Sequence, residues 1–120
     1  MAEIKSYRDL IVWQKSMDLA VMVYRLLGLL PSSEKFGLCS QVNRAVVSVA
    51  ANIAEGNARS SSKEYAQFLS IARGSLVEVE TYLLLTVRLG FIEEASIGES
   101  VVLIREIDRM ICAIRNKTVG

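Results

Sequence analysis

Gln41, Arg44, Ser48, Asn52 and Glu55 recur at intervals of three, four, four and three in a stretch whose other positions are mostly valine, alanine or isoleucine. At helical spacing these five side chains share one face, and Gly56 follows directly. Two amides, a guanidinium, a hydroxyl and a carboxylate in a row can form a hydrogen-bonded network. They can equally be the one wet side of a greasy helix. A complement lies further along, in Arg73, Gly74, Ser75 and Glu78. Glycine inside a helix costs roughly 1 kcal/mol relative to alanine, so Gly74 predicts close approach by another backbone, with small Ser48 and Ala51 opposite. In the network reading Arg44 pairs with Glu78 or Glu55, Asn52 satisfies backbone or Ser75, and the cluster sets register more than it adds stability. Both readings of the stripe stay open at this level.

Other chemistry is sparse. The chain has no histidine, which removes the commonest general base, Ser-His-Asp and Cys-His arrangements, and most zinc sites. Cys39 and Cys112 are too far apart for a Cys-x-x-Cys site and read as buried free thiols in a reducing cytoplasm. The run from Gly56 to Lys63 lacks the second glycine of a phosphate loop and follows a helix instead of a strand. Ser60 and Lys63 fit S-x-x-K, but no S-D-N or K-T-G accompanies them. Glu78 and Glu80 point to different sides of a helix. The expectation is therefore a non-enzymatic protein with no catalytic residue, cofactor, metal or small-molecule substrate.

One proline in 120 residues and no clean period-2 segment argue against sheet. The first helix is predicted from about Tyr7 to Leu29, stopped by Pro31. The second should run from near Lys35 or Leu38 to Glu55, with Gly56 as its stop. The third opens at Ser61 in a capping box with Glu64 and ends at Gly90. The fourth starts between Glu93 and Ile97 and reaches about Asn116, with core positions Val101, Ile104, Ile107 or Asp108, Ile111 and Ile114. Short connections favour a single all-α domain over residues 1–120: an antiparallel up-down-up-down four-helix bundle, frayed at 1–5 and 117–120.

The surplus of apolar residues, 52% of the chain with a mean hydropathy of +0.34, needs a destination. Leu19 to Leu30 is too short to span a bilayer and contains Arg25, and the first residues carry no signal-peptide core, so no membrane association is expected. The first helix carries two apolar stripes. Leu10, Trp13, Met17, Ala20, Tyr24 and Leu27 form one, at spacings of three and four. Val12, Leu19, Val23, Leu26 and Leu30 form the other, expected to face a neighbouring copy in a homo-oligomer.

The same residues carry a resemblance. Asp9, Leu10, Val12 and Trp13, then Gln41 and Arg44, then Ser48 with Asn52 to Gly56, and finally Gly74, Ser75 and Glu78 resemble the pattern of four-helix-bundle proteins encoded in the intervening sequences of bacterial 23S ribosomal RNA genes. The similarity extends from about Tyr7 into the fourth helix. Val49-Ala50 stands where isoleucine-proline is frequent, which should leave the second helix straighter. The resemblance implies a ring-like homo-oligomer, with five copies the first expectation, and a molecular role not settled. A related branch, accessory proteins of diversity-generating retroelements, works with reverse transcriptase and nucleic acid.

Two functions follow. One is an oligomeric scaffold or adaptor binding another protein. The other is an accessory protein binding RNA or DNA through Arg59 and Lys63 at the turn between the second and third helices, with Arg105, Arg109, Arg115 and Lys117 late in the chain. Glu106 and Asp108 dilute that later group, and a net charge of +1 supplies no global field.

Overall fold

The computed structural model of the chain describes residues 6–119, with side chains as far as Thr118. Four helices dominate: α1 (Ile11–Leu27), α2 (Leu38–Ala58), α3 (Ser62–Arg88) and α4 (Gly98–Val119). No strand occurs among the described residues. Short 3-10 turns at Tyr7–Asp9, Ser32–Glu34 and Glu94–Ile97 lie ahead of α1, α2 and α4.

Local chemistry explains most boundaries. Ser6 and Asp9 form a reciprocal capping box around the first 3-10 turn, and extended Leu10 separates that turn from α1. The first helix thus starts at Ile11, not at Tyr7. The Tyr7 ring meets Trp13 edge-on at 5.2 Å, which ties the turn down. α1 ends at Leu27, two residues before the expected end, and Gly28 caps it. At the start of α3 the Ser61 hydroxyl accepts from the Glu64 N–H at 3.0 Å. At its end Gly90 adopts φ +80°, and the N–H groups of Gly90 and Phe91 donate to the carbonyls of Val87 and Thr86. That is a left-handed glycine closing a helix.

Two expected ends move. α2 continues through Gly56 to Ala58, so that glycine is not a stop. α4 runs to Val119, so 117–119 are helical. The expected fraying of 1–5 and of Gly120 lies outside the described residues.

Each helix packs on two others, α1 on α2 and α4, and α3 on α2 and α4, with α2–α3 the most extensive pair. Ser48 meets Ser75 and Gly56 meets Phe68. Arg73 meets Asp108 and Ser70 meets Arg115. Numbers rise on one helix as they fall on the other, so these neighbours are antiparallel. At 27 residues, α3 is about 40 Å long and runs nearly the full 43 Å of the molecule.

The interior is aliphatic. Leu19, Val42, Val46, Val49, Ile53, Leu69, Val79, Leu83, Ile107 and Ile111 are all fully buried. Each such side chain contributes roughly 1.5–3 kcal/mol by leaving water. On α4, Ile104, Ile107 and Ile111 fill the core as expected, while Val101 and Ile114 are only partly buried.

The α1 stripe expected to face a neighbour turns inward instead. Val12, Leu19, Val23 and Leu30, expected to face a neighbour, line the molecule's own core, and Leu26 packs partly buried against it. In the other stripe Leu27 is buried and Leu10, Trp13 and Ala20 pack against the core, while Met17 and Tyr24 stand 43% and 51% exposed. The reason is the chemistry of the side chains. Compact aliphatics fill a closed interior without polar atoms, whereas the Tyr24 phenol would need a buried partner.

Candidate functional site

Three seams between helices hold the candidate residues, and each has a different chemistry. The α2–α3 seam is close and small. Ser48 Oγ lies 2.9 Å from Ser75 Oγ. Asn52 Nδ2 donates to both the Ser48 carbonyl and the Ser48 hydroxyl, each at 2.8 Å. With Asn52 donating to it, Ser48 can pass its own hydrogen to Ser75. All three side chains are half-buried, where an unmade hydrogen bond is expensive.

The rest of the polar stripe behaves otherwise. Gln41, Arg44, Glu55 and Glu78 are exposed. Among the described residues Arg44 makes no ion pair with Glu78 or Glu55. Glu55 instead holds Arg59, one turn on, at 2.8 Å, and the Arg59 guanidinium sits 5.0 Å over the Phe68 ring. Partial burial lifts the Tyr82 phenol above its ordinary pKa; the adjoining Glu78 carboxylate adds to the rise and Arg44 opposes it. The stripe therefore divides into a hydrogen-bonded centre and solvated ends.

The close approach falls on the other glycine. A Cβ on Gly74 would meet nothing within 4 Å, and the residue is exposed. At buried Gly56 a Cβ would stand 2.6 Å from the Phe68 Cβ and 3.1 Å from the Tyr65 ring. Only a glycine lets α2 and the first turns of α3 come this near. Arg73, expected to face α2, turns to α4 instead.

The α1–α2 seam is an open groove of about 470 Å³ lined by Met17, Ala20, Val21, Tyr24, Arg25, Val47 and Ala50. Val21 is 51% and Val47 48% exposed. Sequence reasoning did not single out this groove. The signal available was Val47, an apolar residue beside the polar stripe of α2.

The α3–α4 seam is charged. Arg73 Nε pairs with Asp108 Oδ1 at 2.7 Å, and Arg105 Nη2 with Glu80 Oε2 at 3.0 Å. Those four residues and Arg109 surround a cleft of about 340 Å³ floored by Leu76, Val77 and Ile104. Nearer the end of α4, Lys63, Ser70, Arg115 and Asn116 line a second depression, where Arg115 Nη1 donates to Ser70 Oγ at 3.3 Å. Of the six basic residues expected at a nucleic-acid surface, four thus line this seam. Arg59 is engaged by Glu55 and Phe68, and Lys117 is exposed near the end of α4.

Cys39 and Cys112 are free and half-buried. Burial, then the charge of Glu34, raises the Cys39 thiol pKa and so weakens it as a nucleophile. Among the described residues no group of three or more His, Cys, Asp or Glu is placed to hold a metal, and no helix is long and apolar enough to cross a membrane.

An antiparallel four-helix bundle with a hydrogen-bonded α2–α3 seam is the class of protein these features define. The chain belongs to the 23S rRNA-intervening sequence protein family, whose model matches residues 8–113. Among solved structures it is similar to a protein of unknown function from the S23 ribosomal protein family of Bacteroides thetaiotaomicron. The two share 27% identity at a TM-score of 0.80, over 88% of this chain and 98% of that one. No curated protein matches the chain.

Proposed function

We propose that this protein is a non-catalytic, homo-oligomeric scaffold or adaptor of the bacterial cytoplasm, which presents repeated faces to a protein partner. The α1–α2 groove carries this reading. Met17, Val21, Tyr24 and Val47 place adjoining apolar side chains in water, and such a patch marks an interaction surface. A second copy is the occupant always at hand, and five copies in a ring is the assembly the family resemblance implies. A heterologous contact of this kind closes into a ring when its rotation allows.

Light scattering over a hundred-fold range of concentration tests the assembly. The unaltered protein should show a multiple of 13.3 kDa, and Val21→Asp or Tyr24→Asp should dissociate it without loss of helical circular dichroism. A monomer mass at every concentration removes the proposal.

The α3–α4 seam favours a second reading, an accessory protein that binds RNA or DNA. Lys63, Arg73, Arg105, Arg109 and Arg115 line it against Glu80 and Asp108. Repetition of so weak a patch in an oligomer would raise its effective affinity. Binding to structured RNA and to duplex DNA should fall steeply with salt as counterions are released. Absence of binding at low salt sinks this reading alone.

A further inference from the structure

The α3–α4 cleft contains more hydrogen-bonding capacity than its ion pairs consume. Arg73 spends its Nε on Asp108, which leaves both terminal nitrogens for a ligand. Arg105 spends one terminal nitrogen on Glu80. Arg109 lines the same cleft and has no carboxylate partner among the described residues. Three guanidiniums against two carboxylates leave the cleft with a charge of +1. Its floor includes Leu76 and Ile104, 1% and 3% exposed, while the Arg73 and Arg105 side chains above it remain open to solvent.

We propose that this cleft is a phosphate-group site, in which Asp108 and Glu80 hold Arg73 and Arg105 in position and limit affinity by competing for them. The competition selects the ligand. A carboxylate ligand would meet two resident carboxylates of equal charge already in contact. A phosphate group offers three acceptor oxygens and up to two charges to forked donors. Ion pairs this exposed are worth little, so exchange of a carboxylate for a phosphate is inexpensive. The phosphate can belong to a nucleic-acid backbone or to a free phosphorylated compound, and the cleft reading stands independently of which.

Two probes separate the sources: inorganic pyrophosphate, followed by calorimetry, and a fluorescent single-stranded 20-mer RNA, followed by anisotropy. Arg109→Ala should weaken pyrophosphate binding about ten-fold, the effect of one charge-assisted hydrogen bond. Asp108→Asn and Glu80→Gln keep side-chain shape and should each tighten it several-fold, an effect that a purely structural role for these carboxylates would not produce. If RNA is a ligand, Arg109→Ala should also reduce the salt slope by about one. Pyrophosphate binding that depends on Arg109, with no RNA binding, supports the cleft and a free phosphorylated ligand over single-stranded RNA. RNA binding indifferent to Arg109→Ala and Asp108→Asn, together with pyrophosphate binding equally indifferent to them, keeps the nucleic-acid reading and overturns the cleft. No pyrophosphate binding by any variant, or weaker binding by Asp108→Asn, also overturns it.

Discussion

The two flanks of α3 are built on opposite principles. Toward α2 it offers Ser75 and, at its start, Tyr65 and Phe68, which meet Ser48 and Gly56 at short range. Toward α4 it extends Arg73 and Glu80, which reach Asp108 and Arg105 with long side chains and leave clefts between them. Short contacts tolerate no added volume and so specify register. Long ion-paired arms are mobile and screened by salt, and can change partners at low cost. One helix thus has a side that fixes the bundle and a side available for exchange.

The contrast can be broken most severely at Gly56. Gly56→Ala adds a methyl 2.6 Å from the Phe68 Cβ, which outweighs any gain in helix propensity. A net loss of about 1–3 kcal/mol is expected for overpacking of this kind, read from urea unfolding. Ser48→Ala strands Ser75 but leaves Asn52 its contact with the backbone carbonyl of residue 48, and should cost about 1 kcal/mol. The double substitution with Ser75→Ala should cost less than the sum of the singles. Gly74→Ala, on the same helix pair but facing open space, should stabilise by up to about 1 kcal/mol. A loss there as large as at Gly56 would erase the distinction between the two glycines.

Smaller effects belong to the charged positions. Arg44→Ala and Glu78→Ala should combine additively, because no ion pair joins them. Arg73→Ala should leave the unfolding midpoint nearly unchanged at physiological salt, even though it removes the Arg73–Asp108 pair. A large loss from Arg73→Ala would show that the α3–α4 flank is structural as well.

Much of the scaffold was readable in advance because its signals are local. Ser61 caps α3 and Gly90 ends it, as their positions demanded, and Ile104, Ile107 and Ile111 of α4 face inward at the expected spacing. The stop at Gly56 was misplaced because glycine marks both helix ends and close contacts, and the one near Leu29 because Gly28 caps α1 ahead of Pro31. Nothing in the residue order separates these uses. The site was legible only in part. Ser48, Asn52 and Ser75 meet as the network reading required, while Gln41, Arg44, Glu55 and Glu78 stay in water as the other reading required. A helical face is about a third of a circumference, and its centre and edge receive different environments from a neighbour whose distance the pattern does not encode.

By itself, the order of residues determined that this chain is all-helical, where its four helices lie to within a few positions, and that histidine-dependent chemistry is closed to it. These follow from caps, periodicity and composition, which act over one or two turns. Only the tertiary structure decided which glycine is pressed against a neighbour, which stripe of α1 faces inward, and that Arg73 turns to Asp108. Each of those depends on the rotation and register of one helix against another. That choice is made by packing across residues some 10 to 90 positions apart, where two equally apolar stripes or two glycines look alike until the partner surface is in place.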